Sequence, residues 1–129
     1  MSANNIEEPA DSEVAHTAIH ACIRLANLWQ LTDDQLNTLT NAQIDTDLEA
    51  CAQPESFNLA DDSLVRISHL LNIHAALRQL FSGESAYGWV HRPNSSKIFG
   101  GQTALSVMLS GDIEDLELVD RYLQGQTQS

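Results

Sequence analysis

The stretch that decides the fold is DDSLVRISHLLNIHAALRQLF, Asp61 to Phe81. Leu64, Ile67, Leu70, Leu71, Ile73, Leu77, Leu80 and Phe81 recur at intervals of three and four, the spacing that lines one side of an α-helix with apolar groups. The stripe is broad, and it marks the strongest helix in the chain. Gly83 is placed to stop the helix in a left-handed conformation.

The pattern upstream is also helical. Val14, Ala18, Cys22, Leu25 and Trp29, with Ile19, Ile23 and Ala26 beside them, predict a helix from Ser12 to Trp29 capped by Asp11 or Ser12. Thr32-Asp33-Asp34-Gln35 has capping-box form and opens a short helix that buries Leu36 and Leu39. A third short helix fits Ile44 to Ala52 and ends before Pro54, giving a helix–turn–helix outline. The polar break Gln53 to Asn58 is the expected boundary between two halves.

Downstream, Glu84 to His91 predicts a short helix carrying Tyr87 and Trp89, closed before Pro93. Asn94 to Gly101 reads as a loop. Thr103 caps a brief helix through Leu105, Met108 and Leu109, which Gly111 ends. Asp112 opens the last helix, with Ile113, Leu116, Val119 and Leu123 on one side, and Gly125 with the tail Gln126 to Ser129 finishes the chain. No segment keeps the two-residue period of a strand. The expected fold is all-α, an N-terminal degenerate helix–turn–helix packed with a C-terminal helical domain. Its divisions are a disordered start over 1–10, the helix–turn–helix region over 11–58, the C-terminal domain over 59–125 and a tail over 126–129.

Charge narrows the function. Eighteen acids against six bases give −12 over 129 residues. Residues 1–58 hold ten acids and one base, Arg24, whereas residues 59–129 hold eight acids and five bases. Such a field repels phosphate backbones; it reads either as a solvated surface that keeps the chain soluble or as an electrostatic guide toward a basic protein partner. Within the helix–turn–helix outline, the helix placed to read DNA offers Asp45, Asp47 and Glu49 and no cation, which argues against DNA binding. The apolar runs are too short to span a membrane. The polar, acidic start does not read as a secretory signal, so the chain is expected in the cytoplasm with Cys22 and Cys51 reduced.

Catalytic and metal signatures do not emerge. His16 and His20 stand four apart, a spacing that can share a metal, but no Glu lies between them in the zinc-protease pattern and no third ligand is evident. Gly100-Gly101 is followed by Gln102 and Thr103, without the lysine of a phosphate loop. The acids at 112, 114, 115 and 117 lack the calcium-loop glycine and suit a first helical turn instead. No cofactor, metal or catalytic residue is expected, and the chain is read as a binding protein rather than an enzyme.

The ordered set from Leu59 onward resembles a known family. It comprises Arg66-Ile67-Ser68, Leu80-Phe81, Gly88-Trp89-Val90, Pro93-Asn94, Phe99-Gly100-Gly101, Leu105, Met108-Leu109, Gly111-Asp112 and Arg121-Tyr122-Leu123. Together these look like the toxin-binding domain of the Xre/MbcA/ParS antitoxins, over roughly Leu59 to Gln124. Trp29-Gln30-Leu31-Thr32 is similar to the step that opens the second helix of that family's Xre-like half. Two departures stand out: an acidic helix where the family carries bases, and Ala104 where a proline is common.

The resemblance implies an antitoxin that sequesters a RES-domain toxin, a protein that consumes NAD or transfers ADP-ribose from it, by occluding its substrate entrance with the C-terminal domain and tail. The alternatives are a DNA-binding autoregulator of the same operon and an orphan protein-binding regulator. Candidate toxin-binding residues are Trp89, Arg92, Asn94, Lys97, Asp112, Asp115, Asp120, Arg121, Tyr122 and Gln124. Trp89 also reads as core, and Pro93 with Asn94 as turn-formers. Residues 85–111 contain Arg92 and Lys97 and no acid, a basic island suited to an acidic surface on the toxin or on a second copy in a homodimer.

Overall fold

The computed structural model describes residues 3–44 and 59–128, with side chains from Val14 onward. It contains six α-helices among the described residues: α1 (Ala3–Trp29), α2 (Asp33–Thr40), α3 (Asp61–Leu80), α4 (Glu84–Gly88), α5 (Ala104–Met108) and α6 (Ile113–Thr127), with a 3-10 turn at Trp89–His91. No strand occurs among them, only an isolated antiparallel bridge between Pro93 and Thr103. The all-α expectation holds. The expected helix Ile44 to Ala52 lies outside the described residues except for Ile44, which is buried.

Helix α1 runs from Ala3 to Trp29, so its backbone starts upstream of the expected Ser12. Once the apolar turns from Ala15 to Trp29 are packed, each further residue adds one hydrogen bond without a new nucleation cost. The helix ends without glycine. Gln30 takes a left-handed conformation (φ +56°), while the Leu31 amide donates to the Ala26 carbonyl at 2.9 Å and the Gln30 amide to Asn27 at 3.3 Å. That pair of bonds satisfies carbonyls the last turn leaves open. Thr32 then opens α2 with the expected reciprocal capping bonds, Gln35 N–H to Thr32 Oγ1 at 3.1 Å and Thr32 N–H to Gln35 Oε1 at 2.9 Å.

Central helix α3 contributes to both apolar clusters. On one side Leu70, Ile73, Ala76 and Leu77 meet Leu25, Trp29 and Leu39 from the front half and Leu116, Val119 and Leu123 from α6. On another, Ile67 packs with Ile19, Cys22, Ile23, Ala26, Leu36 and Ile44. Leu25, Trp29 and Leu39 therefore tie the front half to the same core that seats the C-terminal helices. Trp29 is fully buried, and its indole N–H and His74 Nδ1 meet no hydrogen-bond partner among the described residues.

Three element ends differ from the sequence expectation. Helix α3 stops because Phe81 turns to extended backbone (φ −133°, ψ 162°), which leaves Phe81 exposed, and Gly83 serves as N-cap of α4 instead. Helix α6 runs through Gly125 to Thr127 rather than ending at the glycine. Asp112 stands at the N-cap of α6 but its side chain caps nothing; Ser110 Oγ accepts the Asp112 amide at 3.1 Å and donates to Asp115 Oδ2. Thr103 does cap α5, accepting the Ser106 amide at 3.0 Å.

Candidate functional site

The connection from α4 to α5 is a folded loop. Asn94 sits at its base: its amide donates to the Gln102 carbonyl at 3.0 Å, and its carbonyl accepts from Gly101 at 2.9 Å. Its Oδ1 accepts from the Ser96 amide at 2.8 Å, the local bond by which asparagine favours a turn. Gly100 and Gly101 both carry positive φ, +58° and +86°, which two consecutive side-chain-bearing residues would adopt only at a cost. This reversal drives Phe99 into the core.

Around Phe99 an aromatic group forms. Its ring meets Trp89 edge-on at 5.9 Å and Tyr122 edge-on at 5.3 Å, while Trp89 and Tyr122 stack at 6.4 Å with 20° between their planes. Trp89 and Tyr122 are both half-buried. Each places one face on the core and leaves part of its ring to solvent, the disposition by which aromatic residues anchor interfaces. Arg92 is exposed and donates to the Ser85 carbonyl at 2.9 Å. Lys97 is exposed on the glycine loop.

Helix α6 presents two unlike faces. Leu116, Val119, Asp120 and Leu123 face inward. Asp120 is 8% exposed: its carboxylate accepts from His69 Nδ1 at 2.8 Å, Asn72 Nδ2 at 3.4 Å and Gln124 Nε2 at 3.1 Å. Gln124 Nε2 also approaches the Asn72 carbonyl at 3.4 Å. These two candidates therefore link α6 to α3, with the Asp120 carboxylate engaged by His69, Asn72 and Gln124. Outward lie Glu114, half-exposed Glu117 and Leu118, and Arg121, whose side chain is 78% exposed and reaches Glu117 at 3.9 Å. Such a surface pair contributes little stability. Asp112 is exposed and Asp115 half-buried at the start of the same helix.

A polar clasp fixes that start. Buried Arg66 donates from Nε to Asp62 Oδ2 at 2.8 Å and from one terminal nitrogen to the Gly111 carbonyl at 2.7 Å. Asn41, the left-handed C-cap of α2, donates to the same Asp62 oxygen at 3.0 Å. The Asn41 hydrogen bond first, and Arg66 second, hold the Asp62 carboxyl below its ordinary range. Sequence reading passed over His69, Asn72 and Arg66 as site-builders. Their polarity within an otherwise apolar helix was the available signal, but their partners lie 45 to 52 positions away.

Other groups do different work. His16 and His20 approach each other at 3.1 Å between their Nε2 atoms. No three His, Cys, Asp or Glu residues converge as for a metal among the described residues. Burial pushes the Cys22 thiol up to about 12, which suits a packing residue rather than a nucleophile. An apolar groove of about 430 Å³ lies between α1 and α3, lined by Val14, Ala18, Leu64, Ile67 and Leu71. No described helix is long and apolar enough to cross a membrane.

The aromatic group, the glycine loop and α6 all fall within residues 76–126, which match the family model of the antitoxin Xre/MbcA/ParS C-terminal toxin-binding domain. An uncharacterized protein of Sinorhizobium fredii, y4oB, is 35% identical over 119 residues, covering 91% of this chain and 89% of that protein. No solved structure matches the chain. The chain belongs to the Xre/MbcA/ParS family of antitoxins, the neutralising half of a toxin–antitoxin system.

Proposed function

We propose that this antitoxin neutralises a RES-domain toxin, one that consumes NAD or transfers ADP-ribose from it, by covering the toxin's substrate entrance with the outward face of α6 and the neighbouring aromatic pair. The observation that carries the reading is the make-up of that face. Glu114 and Glu117 point away from the core, followed by exposed Arg121 and half-exposed Tyr122 stacked on Trp89. A site that holds the phosphates of NAD is cationic, so an acidic helix is complementary to its rim and competes with the substrate's own charge. Tyr122 and Trp89 supply the rigid contact area on which interface energy concentrates. Such chemistry belongs in the cytoplasm, where the toxin meets NAD.

Asp112 and Asp115 extend the acidic face toward Ser110, and exposed Arg92 and Lys97 on the α4–α5 connection are kept as further candidate contacts. Asp120 and Gln124 support the face from behind and are set aside as contacts.

The test is neutralisation of the toxin in co-expressing cells by a chain carrying Glu114→Lys and Glu117→Lys. Both side chains are solvent-accessible, so the fold should survive. Loss of protection at unchanged melting temperature is expected, and full protection would remove α6 from the interface. Point substitutions are used rather than a truncation, because removing α6 would delete Leu116, Val119 and Leu123 from the core.

A further inference from the structure

Helix α1 carries two imidazoles that converge on one point. Ala15, Ile19, Cys22 and Ile23 are buried along its inward side, and His16 and His20 stand half-buried beside them. Residues four apart on a helix have neighbouring Cβ atoms, and here the two rings lie 4.4 Å apart between centroids, inclined at 62°. Their Nε2 atoms are 3.1 Å apart. A pair of neutral imidazoles spans that gap with one hydrogen, donated by one Nε2 and accepted by the other.

The same separation is the bite of a chelate. Two imidazole nitrogens, each about 2.0–2.1 Å from one metal, stand about 2.9 Å apart at a square angle and about 3.3 Å apart at a tetrahedral one. The observed 3.1 Å falls between these values and corresponds to an angle of about 100° at the metal. The two nitrogens are therefore already at chelating distance.

We propose that His16 and His20 form a two-nitrogen site for a borderline divalent transition ion, with water completing its coordination. Imidazole donors suit Cu2+, Ni2+ and Zn2+, with Cu2+ the tightest, whereas Mg2+ and Ca2+ demand oxygen ligands. No group of three His, Cys, Asp or Glu residues forms among the described residues, so the ion is exchangeable rather than enclosed by four protein ligands. On binding, the hydrogen between the rings passes through solvent to Nδ1 of its own ring, and the metal takes both Nε2 atoms. Ten acids against one base over residues 1–58 raise the local concentration of cations. The ion spans one turn of α1, the helix whose Leu25 and Trp29 enter the core. It binds the folded helix more tightly than the unfolded chain and so stabilises the fold.

The test uses the full chain carrying Cys51→Ser, so that this thiol takes up no metal. Titration calorimetry with NiCl2 should show binding, and its absence overturns the site. Ni2+ at about ten times its dissociation constant should raise the melting temperature by about 3–7 °C. MgCl2 at the same concentration should leave it nearly unchanged; an equal rise means screening of the net charge of −12 and overturns the site. His16→Gln and His20→Gln each keep a hydrogen-bonding side chain and should lose most of the Ni2+ effect, measured against each variant's own metal-free melt. His91→Gln removes an exposed imidazole elsewhere and should keep it. A rise that survives both His16→Gln and His20→Gln overturns the proposal. Electron paramagnetic resonance of the Cu2+-loaded chain gives a readout that does not depend on stability. Coupling to two imidazole nitrogens is expected, falling to one in His16→Gln. One nitrogen or none in the chain with both histidines overturns the chelate.

Discussion

Replacing Asp120 by alanine removes the polar tie that seats α6 on α3, and its effect can be worked from the contacts. The carboxylate accepts from His69 at 2.8 Å, Gln124 at 3.1 Å and Asn72 at 3.4 Å. Hydrogen bonds to an ionised group are worth about 1.5–3 kcal/mol each when the partner is left dry. Here the His69 side chain keeps 21% of its surface in water, so it can recover part of that by hydration. The 3.4 Å contact with Asn72 is long and adds little. The expected loss for Asp120→Ala is therefore about 2 kcal/mol, a fall of about 6–10 °C in melting temperature for a chain of this size. Asp120→Asn keeps an acceptor oxygen for His69 and should cost about half as much. Chemical denaturation followed by far-UV circular dichroism measures both, and the slope with denaturant should stay unchanged. If Asp120→Ala costs less than about 0.5 kcal/mol, within the range of an ordinary surface substitution, the carboxylate does not tie the helices and would be available to a partner after all.

Gln30→Gly should stabilise the chain by about 0.5–1 kcal/mol in thermal melting, because Gln30 holds a left-handed conformation that glycine adopts without strain. Burial first, and the charge of Arg78 second, lower the affinity of His74 for a proton below its ordinary value of 6.5. The unfolded chain therefore takes up that proton more readily, and stability present above pH 6.5 is lost as pH falls through it toward the folded value. His74→Leu should flatten the melting temperature between neutral and mildly acid pH, and an unchanged slope would show that another group titrates there. Trp29→Ala should cost about 3–5 kcal/mol in equilibrium denaturation and abolish stable folding at 37 °C, since Trp29 is fully buried where front and back halves meet. In a Cys51→Ser chain, Cys22 should resist thiol reagents at neutral pH until denaturant is added, its thiol being pushed up to about 12.

The sequence by itself determined the helices and most of the core. Spacing of three and four along Asp61 to Phe81 identifies α3 because helical geometry turns that interval into one face, and Ile67, Leu70, Ile73 and Leu77 are buried there. Thr32 and Thr103 were legible as caps because a capping bond spans only three residues. Helix ends were less legible. Gln30 and Phe81 end their helices by backbone choices that packing imposes, while Gly125, a residue that usually stops a helix, sits inside one. The candidate site followed the same division. The acidic start of α6 and the rings of Trp89 and Tyr122 were visible one residue at a time, but that the two rings stack is a property of the fold. Which acids face outward is a property of contacts across more than forty positions. Asp120 turns inward because His69 and Asn72 of α3 meet it, while Glu114 and Glu117 stay in solvent because no inward partner reaches them among the described residues. Local spacing sets what a helix can present, and the helix packed beside it decides which side it does present.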